Sequence, residues 1–380
     1  MRVVSLFAGI GGIERGLARG SKVAEPIHAV EWWQPARAVL QHRFPGVSLD
    51  GDIAEVNELP PAELVAGGFP CTDLSQAGRT AGLDGDQSVL VLKALKLIER
   101  HDADWLLLEN VRNMLVLHKG AAMDAITSEL ERMGFLWAYR LVDSRFTGVP
   151  QRRQRVYLLA SRRYDPRPIL FADDAGEPGP GHFRDDAFGF YWTEGLRGLG
   201  WGVDCVPTLK GGSTIGIPSP PAVWLPSNQP GNRIVTPGIR VAEQLQGFPI
   251  DWTIGAGGLP RGRGARWKLV GNAVTVGVTE WLGKNLVKPR RWVEDAASPI
   301  EPGRSWPAAG WGDRQHRFAV DVSMWPVRRP YRHLADLMGD DYEPLSHRAV
   351  AGFFDRLERG KLHVSDAFRA DVKEHVEITS

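Results

Sequence analysis

The stretch VVSLFAGIGGIERGLARG, residues 3–20, decides the fold class. Four of its first five residues are apolar and two of them, Val3 and Val4, are β-branched, as suits a buried strand. Gly9, Gly11 and Gly12 follow, and then a helix-like segment. Strand, glycine-rich turn and helix in that order open a parallel α/β unit, and the glycines allow close approach of a ligand to the backbone. Their spacing differs from the dinucleotide fingerprint. The alternation continues through HAVE (28–31), helix-like QPARAVLQHRF (34–44), ELVAGGF (63–69), SVLVLKALKLIER (88–100), DWLLLEN (104–110), AAMDAITSELERMG (121–134), WAYRLVDS (137–144) and RVYLLAS (155–161). Val91, Leu95 and Ile98 share one helical face, as do Ala122, Ile126, Leu130 and Met133. The pattern predicts a Rossmann-like parallel sheet covered on both faces, over residues 1–164.

Beyond Asp165 the texture changes. Pro and Gly rise and periodicity fades, which predicts a smaller, irregular domain over 165–262. TPGIRVAEQLQGFP (236–249) restores a helix. KLVGNAVTVGVTEWLGKNL (268–286) reads as another, opened by Gly271-Asn272, within a segment 263–289 that returns to the large domain. Residues 290–380 hold four of the 14 tryptophans and an amphipathic helix with Val350, Phe353, Phe354 and Leu357 on one face. This region reads as a folded appendage docked on the large domain, because exposed Phe pairs are costly.

Composition bounds the function. With 43% hydrophobic and 24% charged residues, the chain has the make-up of a soluble globular protein. No apolar run reaches the roughly 18 residues of a membrane span, and the first residues carry a ligand-loop pattern in place of a signal peptide. Two cysteines, Cys71 and Cys205, build neither a disulfide framework nor a zinc knot, so a reducing cytoplasm is the expected compartment and no metal is expected. Net charge is only +1, which opposes a generic polyanion binder. Local charge still decides contact, and Arg140–Arg167 contains eight arginines against Asp143 and Asp165.

Four islands carry chemistry. Pro70-Cys71 ends an apolar strand, where open α/β sheets place their ligands, and is followed by a Gly-rich segment suited to a closing loop. Cys71 there reads as a nucleophile, and Cys205 as inert. Glu31, about twenty residues after the glycine turn, can accept from ribose hydroxyls. Asp52 suits an adenine amino group or a simple turn. Glu109 ends a buried strand, where it either holds and donates a proton or pairs with an arginine. Arg153 and Arg155, two apart in QRRQR, fall on one side of an extended chain and suit a phosphate or a carbonyl oxygen.

In this order the islands FAGIGG, Glu31, GDI, GGFPC, ENV, QRRQRVYLL, TPGIRVAEQLQGFP and GNAVTV resemble the DNA (cytosine-5) methyltransferases over roughly residues 3–287. The resemblance implies a large lobe binding S-adenosyl-L-methionine, a small target-recognition lobe, and double-stranded DNA in the cleft between them. It implies catalysis by Cys71 and Glu109, with Arg155 on the base carbonyl and Arg153 in support. For the cofactor it implies Phe7, Ala8, Gly9, Ile10, Gly11, Gly12, Glu31, Trp32, Asp52, Ile53, Pro70, Leu90, Asn272 and Ala273. For DNA it implies Ser75, Gln76, Gly78 and Arg79 of the loop, and Thr208, Lys210, Gly211 and Gly212 of PTLKGG. Thr72, Gln87 and Gly238 depart from common family residues and touch loop–DNA contacts and the helix after Pro237. A monomer acting alone or beside a separately encoded restriction endonuclease is expected. Methylation of tRNA, as in a related branch, and a regulator with decayed catalysis are the alternatives.

Overall fold

The computed structural model describes residues 1–69, 86–211, 220–259, 262–293, 298–301, 303–360 and 362–380. The elements in chain order are β1 (Arg2–Leu6), α1 (Gly12–Ser21), β2 (Glu25–Val30), α2 (Gln34–Arg43), β3 (Ser48–Asp50), β4 (Leu64–Gly68), α3 (Asp86–Arg100), β5 (Trp105–Val111), α4 (Ala121–Arg132) and β6 (Leu136–Asp143). Then come β7 (Gln151–Arg152), β8 (Gln154–Ser161), α5 (Arg167–Phe171), β9 (Phe188–Phe190), β10 (Gly202–Val203), β11 (Val206–Pro207), β12 (Ala222–Trp224), β13 (Ile234–Pro237), α6 (Ile239–Leu245), α7 (Gly262–Asn272) and α8 (Val276–Val287). The last are β14 (Ser298–Pro299), β15 (Ala309–Gly312), β16 (Arg317–Ala319), α9 (Leu334–Met338), β17 (Tyr342–Pro344), α10 (His347–Gly360) and α11 (Asp366–Thr379). The chain forms two compact units. One comprises Met1–Asp143, Gln154–Glu177 and Val274–Arg328; the other comprises Ser144–Arg153, Pro178–Ala273 and Arg329–Ser380.

The first unit is built on a sheet ordered β14-β16-β15-β6-β8-β5-β4-β1-β2-β3. Strands β5, β4, β1, β2 and β3 are parallel, and beyond β5 the strands β8, β6 and β15 each pair antiparallel with the one before. From β1 the chain winds outward through β2 to β3, then crosses back to place β4 on the other side of β1. That reversal leaves a switch point between the carboxyl ends of β1 and β4, the place where open α/β sheets bind ligands. The register sets Leu6 between Val30 and Gly67, and Gly68 beside Glu109. Val4, Leu6, Val65, Leu106 and Leu108 pack with Val91, Leu95 and Ile98 of α3 and Ile126 and Leu130 of α4 in one core. Helix α1 lies directly on α8. A Cβ at Gly16 would come within 1.9 Å of Thr279 Oγ1, and one at Gly20 within 2.0 Å of the Glu280 carbonyl.

The second unit has a five-stranded sheet, β10-β9-β12-β13-β17, and a short parallel pair of β7 with β11. Val350, Phe353 and Leu357 of α10 pack with Phe190, Phe368 and Val372. Arg233 pairs with Asp371 (2.7 Å) and Glu374 (2.9 Å) of α11.

Residues 290–380, expected to form one appendage, divide between the two units. Strand β15 pairs with the free edge of β6 and is followed by β16 and β14, while Trp306 packs on Trp137 (5.8 Å between rings) and Tyr139 (5.7 Å). Strand β17 instead pairs with β13, and α10 and α11 cover the second unit. The segment 263–289 divides as well. Asn272 ends α7 in the second unit, and α8 begins at Val276 in the first, so Gly271-Asn272 closes a helix where the sequence suggested an opening. The break falls at Ala273–Thr275, where Thr275 is extended and β-branched residues disfavour a continuous helix.

Candidate active site

The glycine turn after β1 is shaped by its backbone. Phe7 and Gly9 have φ of 54° and 59°, and Gly11 has φ of 82° at the start of α1. A left-handed Phe is unusual and marks a constrained turn. The Ala8 N–H donates to the Val30 carbonyl (3.2 Å), which ties the turn to the end of β2. Just past β2, the Glu31 carboxylate accepts from the Gly9 N–H and the Trp33 N–H, each at 2.8 Å. Burial pushes the Glu31 carboxyl above the ordinary carboxylate range, and those N–H groups pull the other way. Trp32 beside it is 70% exposed. No side chain caps the start of α1, and a Cβ on Gly9 would meet nothing within 4 Å. An open turn at a helix start without a side-chain cap, beside an oriented carboxylate, suits a ligand bearing hydroxyls and a carboxylate. Ile10, Gly11 and Gly12 are buried beneath the turn, and Ile53 is buried beside Asp52, whose Oδ1 accepts from the Ala54 N–H (2.9 Å). Leu90 of α3 packs half-buried against the core.

At the end of β5, Glu109 sits over Gly68, where a Cβ would lie 3.0 Å from Glu109 Oε2. Arg155 Nε stands 3.2 Å from Glu109 Oε1, an ion pair between side chains 11–14% exposed. Among the described residues that buried oxygen has no hydrogen-bond partner. Of the two sequence readings of Glu109, the ion pair is the one the structure contains. Asn110, buried, donates to the Phe69 carbonyl (3.1 Å) and accepts from the Val111 N–H (2.7 Å). It pins the chain immediately before Pro70-Cys71. Pro70, Cys71, Ser75, Gln76, Gly78 and Arg79 lie outside the described residues, as does Gly212.

The islands after β1, β2, β4 and β5 thus stand at the carboxyl ends of neighbouring parallel strands around the switch point. A family model for C-5 cytosine-specific DNA methylases matches residues 1–173. Type II methyltransferase M2.BsuMI of Bacillus subtilis is 46% identical over 97% of this chain and 96% of its own length. The chain belongs to the C-5 cytosine-specific DNA methylases. Type II methyltransferase M.SsoII of Shigella sonnei is 26% identical over 75% of the chain and 80% of its own length. The crystal structure of S. pombe Dnmt2 methyltransferase superposes with a TM-score of 0.56 at 15% identity, covering 76% of this chain and 98% of that one, a likeness of fold. The protein is a DNA (cytosine-5) methyltransferase of Rossmann-like fold.

Several of the residues singled out in the sequence make contacts within the protein. Arg153 and Arg155 do not share one side of a strand, because Arg153 falls in the joint between β7 and β8. Arg155 faces Glu109, whereas Arg153 donates to the carbonyls of Leu209 (3.2 Å), Gly271 (3.2 Å) and Ala273 (2.9 Å) in the second unit. Thr208 Oγ1 donates to the Arg152 carbonyl (2.9 Å), and Lys210 Nζ sits 2.8 Å from Glu194 and 3.8 Å from the Tyr191 ring centre. Asn272 and Ala273 belong to the second unit. Sequence reasoning missed Asn110, Gln151 and Gln246. Each lies inside one of the eight islands, Asn110 in ENV, Gln151 in QRRQRVYLL and Gln246 in TPGIRVAEQLQGFP, but the sequence alone assigned none of them a role. Among the described residues no His, Cys, Asp and Glu cluster could hold a metal, and no helix is long and apolar enough to cross a membrane.

Proposed function

We propose that the protein methylates carbon 5 of a flipped-out cytosine within one short sequence of double-stranded DNA, through a temporary bond from Cys71. The observation that carries this reading is the Glu109–Arg155 pair at the end of β5, beside the strand that leads through Phe69 into Pro70-Cys71. The Cys71 thiolate adds to carbon 6 of the ring, and the electron pair displaced toward carbon 5 makes that carbon nucleophilic. Glu109 bonds ring nitrogen 3 and the exocyclic amine as charge develops, and Arg155 holds the base carbonyl. Once carbon 5 has taken a methyl group with that electron pair, a base removes the carbon 5 proton, those electrons re-form the 5,6 double bond, and the S–C6 bond breaks so that Cys71 leaves as thiolate. The target is unreachable inside the stack, so it is extruded at a cost of a few kcal/mol.

The residues present fit S-adenosyl-L-methionine, which supplies an electrophilic methyl group on a sulfonium. Glu31 would accept from the ribose hydroxyls. The turn Phe7–Gly12 would face the amino-acid end, and Asp52 and Ile53 the adenine. The family resemblance adds Pro70, Leu90, Asn272 and Ala273. Thr208, Lys210, Gly211 and Gly212, with Ser75, Gln76, Gly78 and Arg79, would contact DNA. Its setting would be a bacterial cytoplasm, as a monomer, with a separately encoded restriction endonuclease as the natural partner.

Radiolabelled methyl transfer to duplex DNA, with tRNA in parallel, tests the reading, and bisulfite sequencing of host DNA gives the site. Cys71→Ala should bind DNA and transfer nothing. Residual 5-methylcytosine from that variant would show that another group is the nucleophile.

A further inference from the structure

Three side chains almost wholly removed from water tie together four separated segments of the second unit. Gln151 and Gln246 are 0% exposed and Arg153 is 2% exposed. Gln151 Nε2 donates to the Leu245 carbonyl (2.9 Å) and to Gln246 Oε1 (3.1 Å), and its Oε1 accepts from the Leu209 N–H (2.9 Å). Gln246 Nε2 donates to the carbonyls of Val270 (2.9 Å) and Ala273 (3.2 Å). Arg153 closes the circuit on the carbonyls of Leu209, Gly271 and Ala273. Leu209 is thus gripped through both its N–H and its carbonyl. The backbone next to it has no freedom to lift. A Cβ on Gly271 would lie 2.3 Å from the Lys210 carbonyl carbon and oxygen, and 2.5 Å from the Gly211 nitrogen. Residues 210–211 therefore rest on the end of α7 with no space between the two backbones.

The network pairs backbone groups of Leu209, Leu245, Val270, Gly271 and Ala273, all of them buried. Apolar side chains at these three positions would bury as well but leave those groups unpaired, whereas the polar network satisfies them and fixes one geometry among several. What it fixes here is the run Thr208–Gly211. We infer that Gln151, Arg153 and Gln246 form a clamp that sets the height and register of this run, and so determine which bases the enzyme accepts without touching DNA themselves. The inference rests on the proposed reading of Thr208–Gly211 as a DNA-contacting segment. A displaced segment loses discrimination before it loses chemistry, because the groups at Glu109 and Arg155 are left as they were.

The test uses the full-length enzyme with S-adenosyl-L-methionine and duplexes carrying either the site found by bisulfite sequencing or each single-base change of it. Arg153→Lys keeps the charge and loses the forked donor set. Gln246→Glu keeps the shape and loses both donors to Val270 and Ala273. In folded variants, the ratio of kcat/KM for the true site over altered sites should fall at least 10-fold. KM for true-site DNA should rise, and kcat at saturating DNA should stay within about 3-fold. A folded variant that slows all duplexes equally and keeps the wild-type ratio would overturn the inference. If both buried variants fail to fold, Gly271→Ala decides, since it leaves the three polar side chains in place and pushes one methyl group against Lys210. A wild-type ratio in that variant would be equally fatal. Wild-type enzyme inactive on every duplex would instead bring down the underlying DNA reading.

Discussion

Replacing Glu14 by Gln should make the protein more stable in alkaline solution than in acid, relative to wild type. Glu14 lies in the first turn of α1, is 3% exposed, and has no hydrogen-bond partner for either oxygen among the described residues. Burial pushes its pKa from 4.5 to about 7; the nearby Glu31 charge adds to the rise, and the Ser5 hydroxyl offsets part of it without closing a hydrogen bond. The folded protein then holds this proton more tightly than the unfolded chain does. Its contribution is complete below about pH 4.5, declines as pH rises toward about 7, and is flat beyond. At 1.36 kcal/mol per pKa unit, the span corresponds to a loss of about 3 kcal/mol between acid and pH 8. Gln is neutral throughout and copies the shape of the protonated acid. Its extra N–H, if unpaired, costs about 1–3 kcal/mol at every pH, so the change in the gap between variant and wild type is the observable. Urea denaturation followed by tryptophan fluorescence at pH 5 and pH 8 measures it. The gap should move by about 2–3 kcal/mol in favour of Glu14→Gln. A gap unchanged between the two pH values would refute the reasoning and mean that Glu14 ionises at little cost, through water or a neighbouring cation.

Other substitutions separate positioning from stability. Asn110→Ala releases the Phe69 carbonyl ahead of Cys71; turnover should drop at least 10-fold with cofactor affinity within about 3-fold, and single-turnover kinetics showing an unchanged chemical step would count against it. Glu31→Ala removes an acceptor fixed by two N–H groups, and calorimetry should show S-adenosyl-L-methionine affinity reduced by about 10–100-fold, the equivalent of one charged hydrogen bond. Arg140→Met takes away a wholly buried guanidinium that pairs with Asp174 (2.9 Å) and donates to the carbonyls of Leu170, Asp173 and Ser323. Thermal or urea unfolding should register a loss of about 3–5 kcal/mol, and a loss below about 1 kcal/mol would show that this junction does not hold residues 298–328 to the sheet.

The parallel half of the large sheet was legible because its information is local. Strands such as DWLLLEN are buried on both faces and read as unbroken apolar runs, and the helices between them keep their periodicity. Strand β15 has no such signature. Its sequence, AGWG, becomes a strand because β6 offers an unpaired edge about 170 residues earlier in the chain, and the small residues fit where Trp137 crowds Gly312. The site divides the same way. Glu31 and Glu109 could be found because each is a carboxylate at the end of an apolar strand. Arg153 misled because the rule of alternation holds only inside one strand, and the chain leaves β7 at Arg152 and enters β8 at Gln154. That single irregular residue sends one arginine to Glu109 and the other to three backbone carbonyls. Gln151 and Gln246 were invisible for a further reason. A glutamine in a clamp and a glutamine in solvent look alike until the fold supplies the carbonyls, and every carbonyl bound here lies at least 24 residues away in sequence from the side chain that binds it. Their role is set by the company of distant backbone. A relative with apolar residues at all three positions and unchanged target discrimination would therefore be stronger evidence against the clamp than the loss of any one of them.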